Sequence, residues 1–338
     1  MFDDDLAGPP QTTEPREPDR TKPATPRPGA RRVAWRAAAW LIAAAAALYY
    51  PVGMALVHQI NDDVDFTPPA ALAVPGGSAA VAMTAALIDR EVNDTAWVAN
   101  NPFFFPSAAL DNMPNFQLGL KAALFRFAIE MTDQMGRTRG SSRADDDLDS
   151  AAGEIKFPGD VWVWSPSISI WPTAASENHY RRAIELLESY NRRLAAGDAV
   201  FDRRADNLLA TMDRFAADLG SASAELDQHI RDHAGGLGAG FLDFAADDLF
   251  FNVKGRLYGY TMILGALRID FSKVITERQI DAAWSQMNDS LRVAAALDPV
   301  LIVNGTPDGM VPSHLVAQGF YLLRARTQLR EITNILLK

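Results

Sequence analysis

The chain has 338 residues, 48% of them hydrophobic, and a formal net charge of −10. This length suits one large domain or two ordinary ones with a buried core, and the absence of cysteine excludes disulfides, thiolate nucleophiles and cysteine-bound zinc. The negative charge disfavours binding to nucleic acid, which needs a basic surface, so we expect no nucleic-acid partner.

The N-terminal region is a proline-rich tail that ends in a cluster of arginines. Residues 1–32 contain seven prolines and few large apolar side chains. Such a stretch cannot bury enough surface to offset the entropy cost of ordering, which predicts disorder. We interpret residues 1–36 as a disordered tail.

An uncharged apolar segment follows at residues 37–57, AAAWLIAAAAALYYPVGMALV. A helix of about 20 apolar residues crosses a bilayer core with all its backbone groups paired, so the segment predicts a transmembrane helix in contact with lipid. Arginines precede it, and no Lys or Arg follows until Arg90. The positive-inside rule therefore predicts a cytoplasmic N-terminus and export of the remaining chain.

Two other interpretations of this segment exist. Pro51 and the sequence Gly53-Met54-Ala55 resemble a helix break before the cleavage site of a signal peptide. A polar leader of this length is unusual for a secretory signal, which favours a retained anchor. A helix buried in a soluble core is disfavoured, because the segment is apolar on all sides.

The exported part is predicted to consist of a linker and one mostly α-helical domain. Residues 58–77 read as a linker because acidic residues are followed by Pro and Gly. Residues 78–338 form the predicted domain. Ser78 is a suitable N-cap for a short apolar helix ending near Arg90, and a second helix is expected over about 116–136.

Two aromatic stretches interrupt the helical pattern. Turn residues surround three phenylalanines within 100–115, and residues 160–171 (DVWVWSPSISIW) alternate like a short strand about Pro166. The rings could form an interaction surface for sugars or peptides, or the core on which the helices pack, and the core interpretation is favoured. The rings are those of Phe103, Phe104, Phe105, Trp162, Trp164 and Trp171.

The region from 176 to 226 predicts a long antiparallel helical hairpin. Apolar residues recur at helical spacing from Tyr180 to Leu194, and Gly197 is a natural end for that helix. A second seam alternates steps of four and three residues. Its members are Phe201, Ala205, Leu208, Met212, Phe215, Leu219, Ala222 and Leu226. A turn at Gly197-Asp198 would bring the two helices together.

Three further helices are expected after a glycine-rich hinge at 234–240. They cover about 242–272, 277–297 and 314–337. The middle one has a seam from Ile280 to Leu291 and a capping box of Thr276 with Gln279.

The histidine pair His229 and His233 is one candidate for chemistry. Four residues apart on a helix, they share a face and could bind a metal. Ile230 stands where a metalloprotease has its glutamate, and a third ligand is missing from the local sequence. The favoured interpretation is that both continue the helical seam, with no metal bound.

Acidic clusters are the other candidates. Asp243 and Asp247 share a helix face and could act as an acid/base pair, but a surface paired to Lys254 or Arg256 is the favoured interpretation. The run at 145–149 lacks the ligand pattern of a calcium loop and reads as a solvated helix start. We identify no catalytic residue and no cofactor site.

The order of these features resembles a known family. A basic-flanked span followed by NPFFFPSAALDNMPNFQLG and FPGDVWVWSPSISIWPTAASENHYRRAI resembles an uncharacterised bacterial family, domain of unknown function twenty-three thirty-three. The resemblance covers about residue 37 to the end. It implies a bacterial inner-membrane protein and brings no known activity.

These observations favour a non-enzymatic, inner-membrane-anchored protein whose periplasmic domain meets a protein partner in envelope interaction or assembly. The alternative is a membrane-anchored hydrolase or binding protein. It would act on cell-wall material near Asp243 and Asp247 or near His229 and His233.

Overall fold

A computed structural model describes residues 28–57, 59–109, 111–136, 144–164, 170–233, 244–299, 302 and 313–338. The contacts divide the chain into two units, Met1–Tyr49 and Tyr50–Lys338. The described residues are mostly α-helical and contain no sheet. The predicted tail up to residue 27, the glycine-rich hinge and Asp243 lie outside the described residues.

The helices are α1 (Pro28–Val57), α2 (Ala79–Asp89), α3 (Asn112–Glu130), α4 (Asp146–Lys156), α5 (Ser176–Ala196), α6 (Ala205–His233), α7 (Phe244–Asp270), α8 (Ser272–Glu277), α9 (Asp281–Ala295) and α10 (His314–Leu336). Helix α2 continues into a π-helical turn, Arg90–Asp94, and α3 into another, Met131–Met135. A short 3₁₀ turn covers Pro106–Ala109.

Helix α1 is the one helix among the described residues that is long and apolar enough to cross a membrane. Its apolar part is Val33–Val57, and none of it is buried within the protein. A membrane anchor and a signal sequence share these properties.

Helix α2 begins where the sequence predicts. Ser78 Oγ accepts a hydrogen bond from the Val81 amide at 3.2 Å. The Asp270 carboxylate then accepts hydrogen bonds from Ser78 Oγ at 2.7 Å and from the Ala80 amide at 2.9 Å. Backbone donors at a helix start need such partners, so Asp270 joins the end of α7 to the start of α2.

Helices α3 and α7 pack at the centre of the second unit. A side chain at Gly119 would overlap the backbone oxygen of Asn252, and one at Gly255 would overlap that of Phe116. The two helix backbones therefore touch, and only glycine permits this approach. Around this pair, α2 and α9 pack against α7, and α4 packs against α3.

The predicted hairpin of α5 and α6 is wrong, although both predicted seams are buried. Helix α5 packs against α2 and α4, whereas α6 packs against α10. Gly197 ends α5 in a left-handed conformation as predicted. The connection then leads away, because Phe201 is buried against Phe271 and the Asp202 amide donates to Met135 O at 2.8 Å.

The capping box predicted for α9 is also wrong. Thr276 lies inside α8, and Gln279 takes a positive φ of 55° in the turn before α9. The α9 seam itself is confirmed, since Ile280, Trp284 and Leu291 are fully buried.

The described ends of the strand-like segment are irregular and form no strand. Two backbone hydrogen bonds connect them to the chain that follows, from Thr173 N to Val163 O at 2.9 Å and from Ser176 N to Val161 O at 3.0 Å. Residues 165–169, including Pro166, lie outside the described residues. These two bonds tie the described start of the segment to the chain that leads into α5.

Candidate functional site

The segment directly after α1, which we call the strap (residues 59–66), is bound to the helical domain. Lys254 on α7 is fully buried, and its Nζ lies 2.6 Å from Asp62 Oδ2 and 3.4 Å from Asp298 Oδ1. Tyr258, one turn further along α7, donates its hydroxyl to Asp63 O at 2.9 Å. A buried ammonium needs an anionic partner, so the strap, through Asp62, stabilises Lys254 in its buried position on α7.

Two arginines from other helices hold the same strap. Arg90 is 3% exposed, lies over the Phe66 ring at 5.1 Å, and donates to the Tyr258 hydroxyl at 2.6 Å. Arg292 on α9 donates to Val64 O at 2.8 Å and to Asp65 Oδ1 at 2.6 Å. The segment predicted as a linker is thus held by cations from three separate elements.

The local structure that buries Arg90 is the π-helical turn at the end of α2. Its neighbour Glu91 accepts from Arg90 at 2.6 Å and, through its other carboxylate oxygen, from Gln117 Nε2 at 3.0 Å. Burial raises the pKa of Tyr258 to about 12, so its hydroxyl stays protonated and can donate to the strap. π-Turns often occur at functional positions in helices, and here the turn supplies a buried cation.

Sequence reasoning missed this arrangement. From the sequence, Arg90 indicates only the orientation of the apolar span, and Lys254 is expected in a surface pair with an aspartate of its own helix. The usable signal was chemical: Lys254 is the single lysine in α7, and its neighbours in the helix are mainly apolar. A lysine in such surroundings predicts a buried anionic partner, but the neighbouring sequence does not show that this partner is Asp62.

A cavity of about 510 Å³ lies beside the strap, between α2, α7 and α9. Its walls are mainly apolar and include Phe66, Met83 and Met262. Asn288 also belongs to this lining, but its Oδ1 is fully buried and has no hydrogen-bond partner among the described residues. The space therefore suits a small, mostly apolar molecule.

The aromatic rings singled out from the sequence form an exposed surface, so the core interpretation is wrong. We call this surface the aromatic patch. Its members are Phe103, Phe104, Phe105, Trp162, Val163, Trp164, Ile170 and Trp171. Phe103 is 83% exposed, Ile170 85% and Trp171 79%, whereas Trp162 is half-buried.

Two loops are joined to build this patch. Trp162 contacts Phe104 at a ring distance of 5.5 Å and Phe105 at 6.4 Å. Behind the rings, Asn100 Nδ2 donates to Val161 O at 2.9 Å. The rings are exposed because turns carry them outward while polar groups close the base of each loop.

The aromatic patch also meets the end of α1. The Tyr50 hydroxyl donates to Phe103 O at 2.7 Å. A side chain at Gly53 would overlap the ring of Pro106, so the chain at the 3₁₀ turn lies directly against this helix. The patch, Tyr50 and Gly53 all belong to the second unit.

The histidine pair lies at the end of α6. His229 is half-buried, and the side chain of His233 lies outside the described residues. Across the described part of the chain, no three His, Asp or Glu side chains converge in a way that could hold a metal ion. The described residues therefore supply no third ligand for a metal at this pair.

Asp247 meets other carboxylates, which corrects its predicted pairing with Lys254 or Arg256. Burial, and then the charges of Asp111 and Asp248, raise the pKa of Asp247 to about 6. With its amide turned to pair with the carboxylates, Asn112 donates to Asp247 Oδ2 at 2.7 Å. Arg256 instead lies 3.7 Å from Glu225.

The acidic run at 145–149 starts a helix, as predicted. The Asp145 carboxylate accepts from the Asp147 amide at 3.0 Å and caps α4. Arg193 on α5 then bridges both aspartates at 2.7 Å. These carboxylates fix α4 against α5.

Comparison with known proteins identifies a family. No curated protein and no solved structure matches the chain. The model of one family, described as "Uncharacterized protein conserved in bacteria (DUF2333)", matches residues 63–234 and 243–338. This match includes the second half of the strap, the aromatic patch and every helix of the domain after α1, so the chain belongs to this bacterial family.

Proposed function

We propose that the chain is a single-pass protein of the bacterial inner membrane, with its N-terminus in the cytoplasm and its helical domain in the periplasm. The domain acts as an envelope interaction or assembly factor that meets a protein partner. The main support for this proposal is the strap, because a short and bound connection limits how freely the domain can move relative to its membrane anchor.

The strap leaves no free spacer after the helix. Gln59 follows Val57 by two residues, so the chain can advance only about 7 Å between them. Three residues later Asp62 is bound to the buried Lys254. A domain tied this closely stays at the membrane surface, which suits a factor that presents a surface at a fixed height.

The cavity beside the strap favours binding over catalysis. A hydrolase needs acid and base groups aimed into its cleft. The acidic side chains in the cavity lining are Asp65 and Asp270. Asp65 is paired with Arg292, and Asp270 caps α2, so both already have structural roles.

Reporter fusions test the anchor and its orientation. We expect a C-terminal alkaline phosphatase fusion to be active and a C-terminal fluorescent protein, exported by the same general secretion route, to be dark. The opposite pattern would overturn the topology. A mature N-terminus near Leu56 would instead show that α1 is a cleaved signal peptide.

The enzyme alternative is tested with the full chain in detergent and isolated cell wall. We expect no release of soluble fragments. Release that is lost in Asp247→Asn, but kept in Asp213→Asn on the exposed face of α6, would establish the hydrolase instead.

A further inference from the structure

We infer that the aromatic patch inserts into the lipid interface of the same bilayer that α1 crosses, as a second membrane contact of the domain. This inference rests on the proposed function, because it requires α1 to span the membrane. It goes further by assigning lipid as the partner of a surface more than forty residues away from the anchor in sequence.

The chemistry of the patch matches the boundary between headgroups and acyl chains. The sequence segments 95–110 and 161–176, from which its members come, contain no charged side chain. Tryptophan and phenylalanine are amphipathic or apolar rings that favour this boundary. Monomeric soluble proteins rarely expose a continuous apolar surface unless it meets a partner or a membrane.

The position of the patch provides an independent argument. Tyr50 binds Phe103 O, so the patch lies at the level of Tyr50 on α1. The apolar part of α1 continues from Tyr50 to Val57, a helical rise of about 10 Å. With α1 crossing the bilayer up to Val57, Tyr50 and the patch lie in the exported leaflet, close to its boundary with the headgroups.

A protein partner fits these features less well. Interfaces between proteins carry polar rims and are enriched in arginine beside their aromatic residues. The two segments of the patch contain no charge themselves, and the charged residues directly beside them, among them Asp111, Asp160 and Glu177, include no arginine. The acidic chain as a whole, at −10, also gives no reason for anionic headgroups to attract it. These features therefore favour the boundary between headgroups and acyl chains as the partner, bound without attraction between opposite charges.

Single spin labels in the full chain test the inference. Because the chain contains no cysteine, Phe103→Cys and Ile170→Cys each create one labelling site on exposed residues. Each labelled chain is reconstituted in phosphatidylcholine vesicles. Power saturation compares collisions with oxygen, which concentrates in lipid, against collisions with a water-soluble nickel chelate.

We expect the oxygen-to-nickel ratio at both patch positions to be several-fold higher than at Asp213→Cys, an exposed control on α6. Adding phosphatidylglycerol should leave the ratio unchanged. A ratio equal to that of the control would overturn the inference. A ratio that rises only in native membranes would mean a protein partner, and one that rises only with anionic lipid would contradict the uncharged chemistry.

A label at Ala44→Cys, within α1, separates this inference from the proposed function. If the Ala44 label lies in lipid while the patch labels lie in water, the anchor stands and only the patch inference fails. If the Ala44 label also lies in water, the proposed membrane span fails, and the patch inference fails with it.

Discussion

The strap and the aromatic patch both lie close to the end of α1, yet they meet opposite environments. The strap is acidic, and its carboxylate at Asp62 lies against the fully buried Lys254. The patch is apolar, and its rings at Phe103 and Trp171 are largely exposed. The difference shows that packing partners, and not polarity alone, decide which segments the helical domain covers.

Electrostatics explains the strap. Burying an ammonium or guanidinium group without a partner costs several kcal/mol. Lys254 and Arg90 are both buried within the helices, so the domain needs the acidic and carbonyl groups that the strap supplies. The rings of the aromatic patch carry no acidic group that a buried cation could pair with, and they stay exposed.

The largest expected effect compares the same substitution in the core and in the patch. Phe215 is fully buried between Phe127 and Tyr260, whose ring centroids lie at 6.1 and 4.7 Å. We expect Phe215→Ala to lower the free energy of unfolding by about 3–5 kcal/mol, since it leaves a cavity. Phe103→Ala should change it by at most about 0.5 kcal/mol.

Denaturant unfolding of the full chain in mild detergent measures both changes. A loss at Phe103 as large as that at Phe215 would mean that the patch is part of the core. The aromatic patch would then be packed like the core and would no longer contrast with the strap.

A smaller effect is expected in the strap. Among the described residues, Asp62→Ala leaves Lys254 with the exposed Asp298 carboxylate, at 3.4 Å, as its anionic partner. We expect a loss of about 1–3 kcal/mol, less than for a fully buried pair because the Asp62 side chain is 30% exposed. Asp65→Ala on the same strap should cost at most about 0.5 kcal/mol, because its carboxylate is 79% exposed.

A double-mutant cycle shows whether the pair itself is responsible. In Lys254→Met the buried charge is gone, so removing Asp62 should cost less than it does in the parent chain. Equal costs in both backgrounds would show that Asp62 acts through something other than Lys254.

The sequence predicts helices better than it predicts their neighbours. The seam through Leu208 and Phe215 is buried as expected, and Ser78 caps α2. The predicted hairpin is wrong because an apolar seam shows which face of a helix is buried but not which other helix covers that face. The pair of Asp62 with Lys254 joins residues 192 positions apart, and no local spacing could reveal it.

The smallest effect concerns a third acidic region, where carboxylates meet each other and not cations. The pKa of Asp247 is raised from 3.8 to about 6, mainly by burial and then by Asp111 and Asp248. The folded chain therefore binds this proton more tightly than the unfolded chain does. Its contribution to stability is fully present below about pH 4 and is lost as pH rises to about 6.

In Asp247→Asn, this decrease in stability with rising pH should be absent. The amide cannot ionise, and its oxygen can still accept from Asn112. We expect the variant to gain stability over the parent between about pH 4 and 6 and to keep the gain above that range, by at most about 1 kcal/mol because the site is partly solvated. Thermal unfolding across this pH range, beside Asp213→Asn as an exposed control, measures the gain. If the parent and Asp247→Asn follow the same pH profile, neither burial nor the charges of Asp111 and Asp248 raise the pKa of Asp247. The acidic strap and this cluster would then no longer differ in how they respond to pH.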